Sequence, residues 1–168
     1  MALIVEDGSI VAGANTYVTV AELDDFASAR GTTLPAIESD KEILIIKAMD
    51  YVEAYRARFQ GSKVEAAQPV QWPRINVEID GFSFPSDEIP IDLKNAQLQA
   101  GLEVNSLDDL SPTQTESIKK EKVDVLETEY FSPQEGAISS PNYPKVDAYL
   151  DALLKNGGSS QIFMSPIR

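Results

Sequence analysis

No cysteine and no histidine occur among the 168 residues of this chain. Without cysteine there is no thiol nucleophile, no thiolate metal site, no iron–sulfur ligand and no disulfide. The missing histidine excludes more, because it is the usual proton shuttle near neutral pH and the commonest metal ligand. Ser-His-Asp and Cys-His catalysis are ruled out, so an enzyme built from this sequence would have to work through carboxylates or lysine. The expectation is a protein that is not an enzyme and uses no cofactor or metal. Basic residues are also scarce. Fourteen Lys and Arg stand against 27 Asp and Glu, for a formal net charge of −13. Such a body repels a phosphate backbone, whereas a nucleic-acid binder normally carries positive charge on its contact face. The acidic excess reads first as a solubility device, and second as a surface that lies near DNA without adhering to it. No window approaches the ~20 apolar residues of a membrane span. The opening MALIVEDGSIV has no basic stretch and is interrupted by Glu6 and Asp7, so it does not read as a signal peptide. A cytoplasmic protein, or part of a structure assembled there, is expected, with no membrane partner.

What is present organises as one domain of residues 1–155 with a C-terminal arm over 156–168. A chain of this length buries enough surface to need no covalent staple. Residues Leu3 to Val5 and Ile10 to Val11 flank Asp7-Gly8 as a short strand pair or extended arm. Thr19 and Glu22 have capping-box spacing. They open an amphipathic helix to about Arg30, with Val20, Leu23, Phe26 and Ala27 on one face. Ser39 and Glu42 repeat that spacing, and a helix of about five turns follows, ending at Gly61. Leu44, Ile45, Ala48, Met49, Val52, Tyr55 and Phe59 form its apolar stripe and the expected centre of the core. A third helix starts near Pro90 and uses Leu93, Ala96, Ala100 and Val104. SLDDLSPTQ reads as a loop, and Ser117 to Phe131 alternates with period two as one or two strands. Pro144 opens a last helix with Val146, Tyr149, Leu150 and Leu153 inward, stopped at Asn156-Gly157-Gly158. The fold class is mainly α (α+β): a bundle of three to four helices with an inserted β-element.

Candidate chemistry is thin. The acidic pairs Asp24-Asp25, Asp87-Glu88 and Asp108-Asp109 read as caps and solvated faces rather than as a catalytic dyad. Arg56 and Arg58, near Lys63, are accompanied by Tyr51, Tyr55, Phe59 and Trp72, the mix that single-strand binding requires. The apolar stripe claims Tyr55 and Phe59 for the core, and the net charge opposes that use. The lone Trp72 sits in QWPR. Before Pro73 it is biased toward extended backbone, and its ring can close the end of the bundle. The Arg74 fork suits a carboxylate, within the subunit or across an interface. The following INVEIDG reads as a short strand or projecting hairpin. Ile162, Phe163 and Met164, on a Gly-Gly-Ser-Ser leash and followed by Arg168, suit an arm that docks on a neighbour.

The ordered string of segments resembles a known family. It runs LIVEDGSIVAGANTYVTVAELDDFASARG, AMDYVEAYRARFQGSKV, QPVQWPR, SDEIPIDLKNAQLQAGLE, IKKEKVDVLETEYF and YPKVDAYLDALL, spanning residues 3–154. In order and spacing it is similar to the head–tail connector (adaptor, or head-completion) proteins of tailed bacteriophages. That resemblance implies a structural virion protein at the head–tail junction, assembled in the host cytoplasm. The implied partners are copies of itself in a closed twelvefold ring, the portal protein above, and the tail or a second connector below. Double-stranded DNA would pass through without sequence-specific contact. The implied interface residues are Arg56, Arg58, Arg74, Ile162, Phe163, Met164 and Arg168, over a core of Trp72, Pro73, Tyr55, Phe59, Phe26, Leu44 and Met49. Sequences of this kind also carry the label DnaT-like single-stranded DNA-binding protein. A single-stranded nucleic-acid module is therefore the alternative expectation.

Overall fold

A computed structural model describes residues 2–107 and 143–155, and the backbone of two further strands at 121–123 and 126–128. The C-terminal arm, with Ile162, Phe163, Met164 and Arg168, lies outside the described residues. The described helices are α1 (Val20–Ser28), α2 (Glu38–Glu53), α3 (Ile91–Leu107) and α4 (Pro144–Leu150), and the mainly α class with small β-elements holds. The α1 capping box forms as its spacing predicts. The Glu22 N–H donates to the Thr19 hydroxyl at 3.1 Å, and the Thr19 N–H donates to the Glu22 carboxylate at 2.6 Å. The box expected at Ser39 and Glu42 does not cap α2. That helix starts earlier, with Ile37 as an extended N-cap lacking a side-chain bond, so Ser39 already lies in the first turn. Glu38 and Asp40 there complement the helix dipole instead.

α2 also ends earlier than its apolar stripe predicts. After Glu53 the chain tightens into a 3-10 turn over Ala54–Ala57. The next backbone groups then leave the helix to bond residues 153–155. Gln60 N–H donates to the Leu153 carbonyl at 2.9 Å and Lys155 N–H to the Arg58 carbonyl at 2.7 Å, around an antiparallel Phe59–Leu154 bridge. At Gly61, φ is +61°, and a Cβ there would lie 2.0 Å from the Ile75 carbonyl oxygen, so only glycine fits.

The segment after Gly61 forms two small antiparallel pairs. β1 (Ser62–Lys63) pairs with β2 (Arg74–Ile75), and β3 (Glu78–Ile79) with β4 (Phe82–Ser83). The β3–β4 turn is Asp80-Gly81, both at positive φ (54° and 82°), the geometry that a two-residue hairpin favours. The hairpin expected from INVEIDG is thus present, with Phe82 at its tip. In a second compact unit, β5 (Glu121–Val123) pairs antiparallel with β6 (Leu126–Thr128), Lys122 opposite Glu127.

α2 and α3 form the most extensive helix pair, and they run in opposite directions. Gln97 donates to the Ile45 carbonyl at 3.1 Å, while Asn105, further along α3, donates to the Thr33 carbonyl just before α2. The core contains Leu23, Phe26, Leu44, Ile45, Ala48, Met49, Val52, Phe59, Trp72, Leu93, Ala96, Val104, Leu150 and Leu153. Of the expected core residues, Trp72, Pro73, Phe59, Phe26, Leu44 and Met49 are buried. Tyr55 is only half-buried, because the 3-10 turn rotates it out of the α2 stripe. The N-terminal arm is held by a buried carboxylate. Glu6 accepts the N–H groups of Gly8, Ile10 and Val11, each at 2.9 Å, and Val5 bridges Thr16 in parallel.

Candidate nucleic-acid interface

The turn that ends α2 and the segment that follows α4, a 3-10 turn over Asp151–Leu153 and the bridge residue Leu154, build one basic ridge from distant parts of the chain. The 3-10 turn presents Arg56, and Arg58 follows it; both are exposed. The Phe59–Leu154 bridge brings Lys155 alongside, and its ammonium donates to the Ala57 carbonyl at 3.3 Å. None of the three cations forms an ion pair with another described residue, in contrast to Lys41 with Asp24 and Lys94 with Glu22. Phe59 anchors the ridge from below, packed edge-on against Trp72 with centroids 5.9 Å apart.

Half-buried tyrosines border the ridge. The Arg58 guanidinium lies over the Tyr55 ring, 4.9 Å from its centroid. Tyr51 packs against Tyr55 at 5.4 Å and edge-on against Tyr143 at 5.3 Å. Tyr55 donates to Asp147 Oδ1 at 2.6 Å, and its oxygen lies 2.8 Å from the Tyr51 hydroxyl. Burial, then the Tyr55 hydroxyl, pushes the Tyr51 phenol well above its ordinary value. Burial, then Asp147, also raises Tyr55. Both therefore stay neutral and set no negative charge beside the cations. Beyond Lys155 the surface turns acidic. A cavity of about 850 Å³ is lined by Gln60, Asn76, Glu78, Asp80, Asp151 and Lys155, and its carboxylates repel a phosphate chain on that side.

Phe59 and Trp72, which the sequence pattern already claims for the core, do not join this surface, and neither do Lys63 and Arg74. Phe59 and Trp72 are fully buried and unavailable to a base. Lys63 turns to the Gln68 carbonyl at 3.1 Å. Arg74 is 5 % exposed and forms no ion pair with another described residue. Its fork donates to the carbonyls of Gln60 (2.6 Å), Gly61 (3.0 Å) and Gln71 (3.2 Å). It therefore ties the 3-10 turn to the Trp72–Pro73 crossover, whose peptide bond is cis. Burial lowers the Arg74 pKa from its ordinary value, offset by the charge on Glu53.

A buried polar network went unread in the sequence. Tyr17 donates to Glu53 Oε1 at 2.6 Å and accepts the Trp72 N–H at 3.1 Å, and Glu53 also accepts the Gln71 N–H. Gln97 Oε1 accepts the Tyr17 N–H at 3.0 Å, and its amide donates to Thr16. Tyr17 and Gln97 are buried, yet Gln97 sits in an α3 stretch whose apolar neighbours gave no sign of a polar lock. Its only sequence signal is a glutamine at a core-facing helix position.

A family model described as "Putative DnaT-like ssDNA binding protein" matches residues 1–168. The chain belongs to this family. No curated protein and no solved structure matches it. The family description names single-stranded DNA, the alternative drawn from the sequence, and says nothing of a head–tail connector. Among the described residues no cluster of three or more acidic side chains is arranged to hold a metal ion. No described helix is long and apolar enough to cross a membrane.

Proposed function

We propose that this chain binds single-stranded DNA, without catalysing a reaction, through the ridge of Arg56, Arg58 and Lys155. One observation carries the proposal: three exposed cations converge from segments about a hundred positions apart, and none is neutralised by a described neighbour. The cations would take consecutive phosphates. The Arg58 guanidinium, already lying over Tyr55, offers its plane to a base. With about three phosphate contacts, the slope of log affinity against log salt is about −2, so a fourfold rise in salt weakens binding roughly 20-fold. Fluorescence anisotropy with a labelled oligothymidine at low and moderate salt tests this. Replacing the three cations by alanine should abolish the salt-sensitive binding; binding that survives unchanged would place the site elsewhere.

A second reading, a subunit of a head–tail connector ring, is favoured by different features. The net charge of −13 suits a wall past which DNA slides, and Phe82 at the hairpin tip is 77 % exposed, as a subunit contact before assembly would be. On this reading the partners are further copies of the chain, a portal protein and a tail component. Incubation with portal-bearing heads lacking connectors tests it: attachment would support the ring, and failure to attach would count against it.

A further inference from the structure

Away from the ridge, α3, α4 and the turn that follows α1 line an open cavity of about 610 Å³, within the size range of small-ligand sites. We infer that it is a site for a guanine nucleotide, and this inference does not rest on the ridge. Helical spacing assembles its walls. Gln99, Leu102, Glu103 and Ser106 share one face of α3, and Lys145, Ala148 and Tyr149 one face of α4. At the end of α1 the Arg30 guanidinium lies 3.3 Å from the Phe26 ring centroid. One nitrogen donates to the Phe26 carbonyl at 3.1 Å and another to the Tyr149 hydroxyl at 3.4 Å.

These contacts fix the guanidinium plane and cover one of its faces with Phe26, while Arg30 as a whole remains exposed and lines the cavity. A fixed, uncovered guanidinium face is a stacking platform for a nucleobase. Glu103 supplies an edge-reading group. Gln99, 6 % exposed, donates to Glu103 Oε1 at 2.9 Å, which orients the carboxylate, and no described residue bonds Oε2. A carboxylate accepts up to four hydrogen bonds. It can therefore receive the two adjacent N–H donors on the guanine edge, whereas adenine presents one donor beside an acceptor. Lys145 is exposed and makes no ion pair with another described residue, which leaves it for the phosphate. With Arg30 and Lys145 against Glu103, the lining carries a net positive charge on an otherwise acidic chain.

Isothermal titration of the full chain with GMP and with AMP tests the site. GMP should bind about tenfold more tightly than AMP, as expected for one bidentate edge contact. Glu103→Gln should erase that preference, bringing GMP down to the affinity of AMP. Lys145→Met should weaken both nucleotides about fivefold. A trinucleotide carrying one guanine, compared with its adenine counterpart, separates the sources. Tighter binding than GMP supports the site as a reader of guanine within a strand; equal binding supports a free nucleotide. No binding of GMP at millimolar concentration, or equal binding of GMP and AMP by the unaltered protein, would overturn the inference. Circular dichroism of each variant separates loss of the site from loss of the fold.

Discussion

Replacing Trp72 tests how the crossover is built. The indole is completely buried and packs edge-on against Phe59 at 5.9 Å and Phe84 at 6.3 Å. A buried tryptophan hides about 150–250 Å², and at about 25 cal/mol/Å² that is roughly 4–6 kcal/mol. Truncations of buried aromatics to alanine cost about 3–5 kcal/mol. For a chain of this size, Trp72→Ala should therefore lower Tm by roughly 6–20 °C, at about 2–4 °C per kcal/mol. Phenylalanine separates packing from polarity. The indole Nε1 is buried without a hydrogen-bond partner among the described residues, so Trp72→Phe removes an uncompensated donor, a relief of about 1–3 kcal/mol. That relief offsets much of the lost volume, and the net cost should be only about 1–2 kcal/mol. Urea unfolding followed by far-UV circular dichroism suits the test, because both variants lack the only tryptophan. If Trp72→Ala were as stable as the unaltered chain, or if Trp72→Phe cost as much as Trp72→Ala, the account of a ring held by packing alone would be wrong.

Other consequences concern the buried polar groups. Tyr17→Phe strips a donor from Glu53 and an acceptor from the Trp72 N–H, and should cost about 2–4 kcal/mol in urea unfolding. Burial, opposed by the Tyr17 hydroxyl and the Gln71 N–H, holds the Glu53 carboxyl above its ordinary 4.5, so the folded chain keeps this proton to higher pH than the unfolded one. Its contribution is complete below 4.5 and is lost as pH rises through the folded value. The stability of the unaltered chain relative to Glu53→Gln should therefore fall as pH is raised through that window. Glu22 behaves in the opposite sense. Burial pushes its carboxyl up, but the Thr19 N–H and hydroxyl and the Lys94 ammonium outweigh this and hold it low. Glu22→Gln should cost about 1 kcal/mol near neutral pH, and the difference should vanish as pH falls through the folded value. Arg74→Met leaves three backbone carbonyls without their donor and should cost about 2–4 kcal/mol in urea unfolding, with Arg74→Lys recovering only part.

The helices were legible where local chemistry decides them. Thr19 with Glu22, Pro144, and the Asp80-Gly81 turn each fixed an element by short-range geometry, and each appears where its residues predict. Long-range bonds decided the misses. Nothing near Ala54 announces that residues 58–60 will pair with 153–155, so the apolar stripe of α2 wrongly extended to Phe59 and placed Tyr55 in the core. The same pairing completes the basic ridge, which is why Arg56 and Arg58 were visible in the sequence and Lys155 was not. The carbonyl partners of Arg74 were hidden for a related reason. Its fork suits a carboxylate in general, but here the folded turn offers three carbonyls first.

Binding to a labelled oligothymidine, measured by anisotropy across a fourfold range of salt, bears most directly on the proposed function. The account predicts that affinity falls roughly 20-fold over that range, and that the salt slope collapses when Arg56, Arg58 and Lys155 are replaced by alanine. Absence of binding at low salt, or binding indifferent to those three replacements, would contradict it.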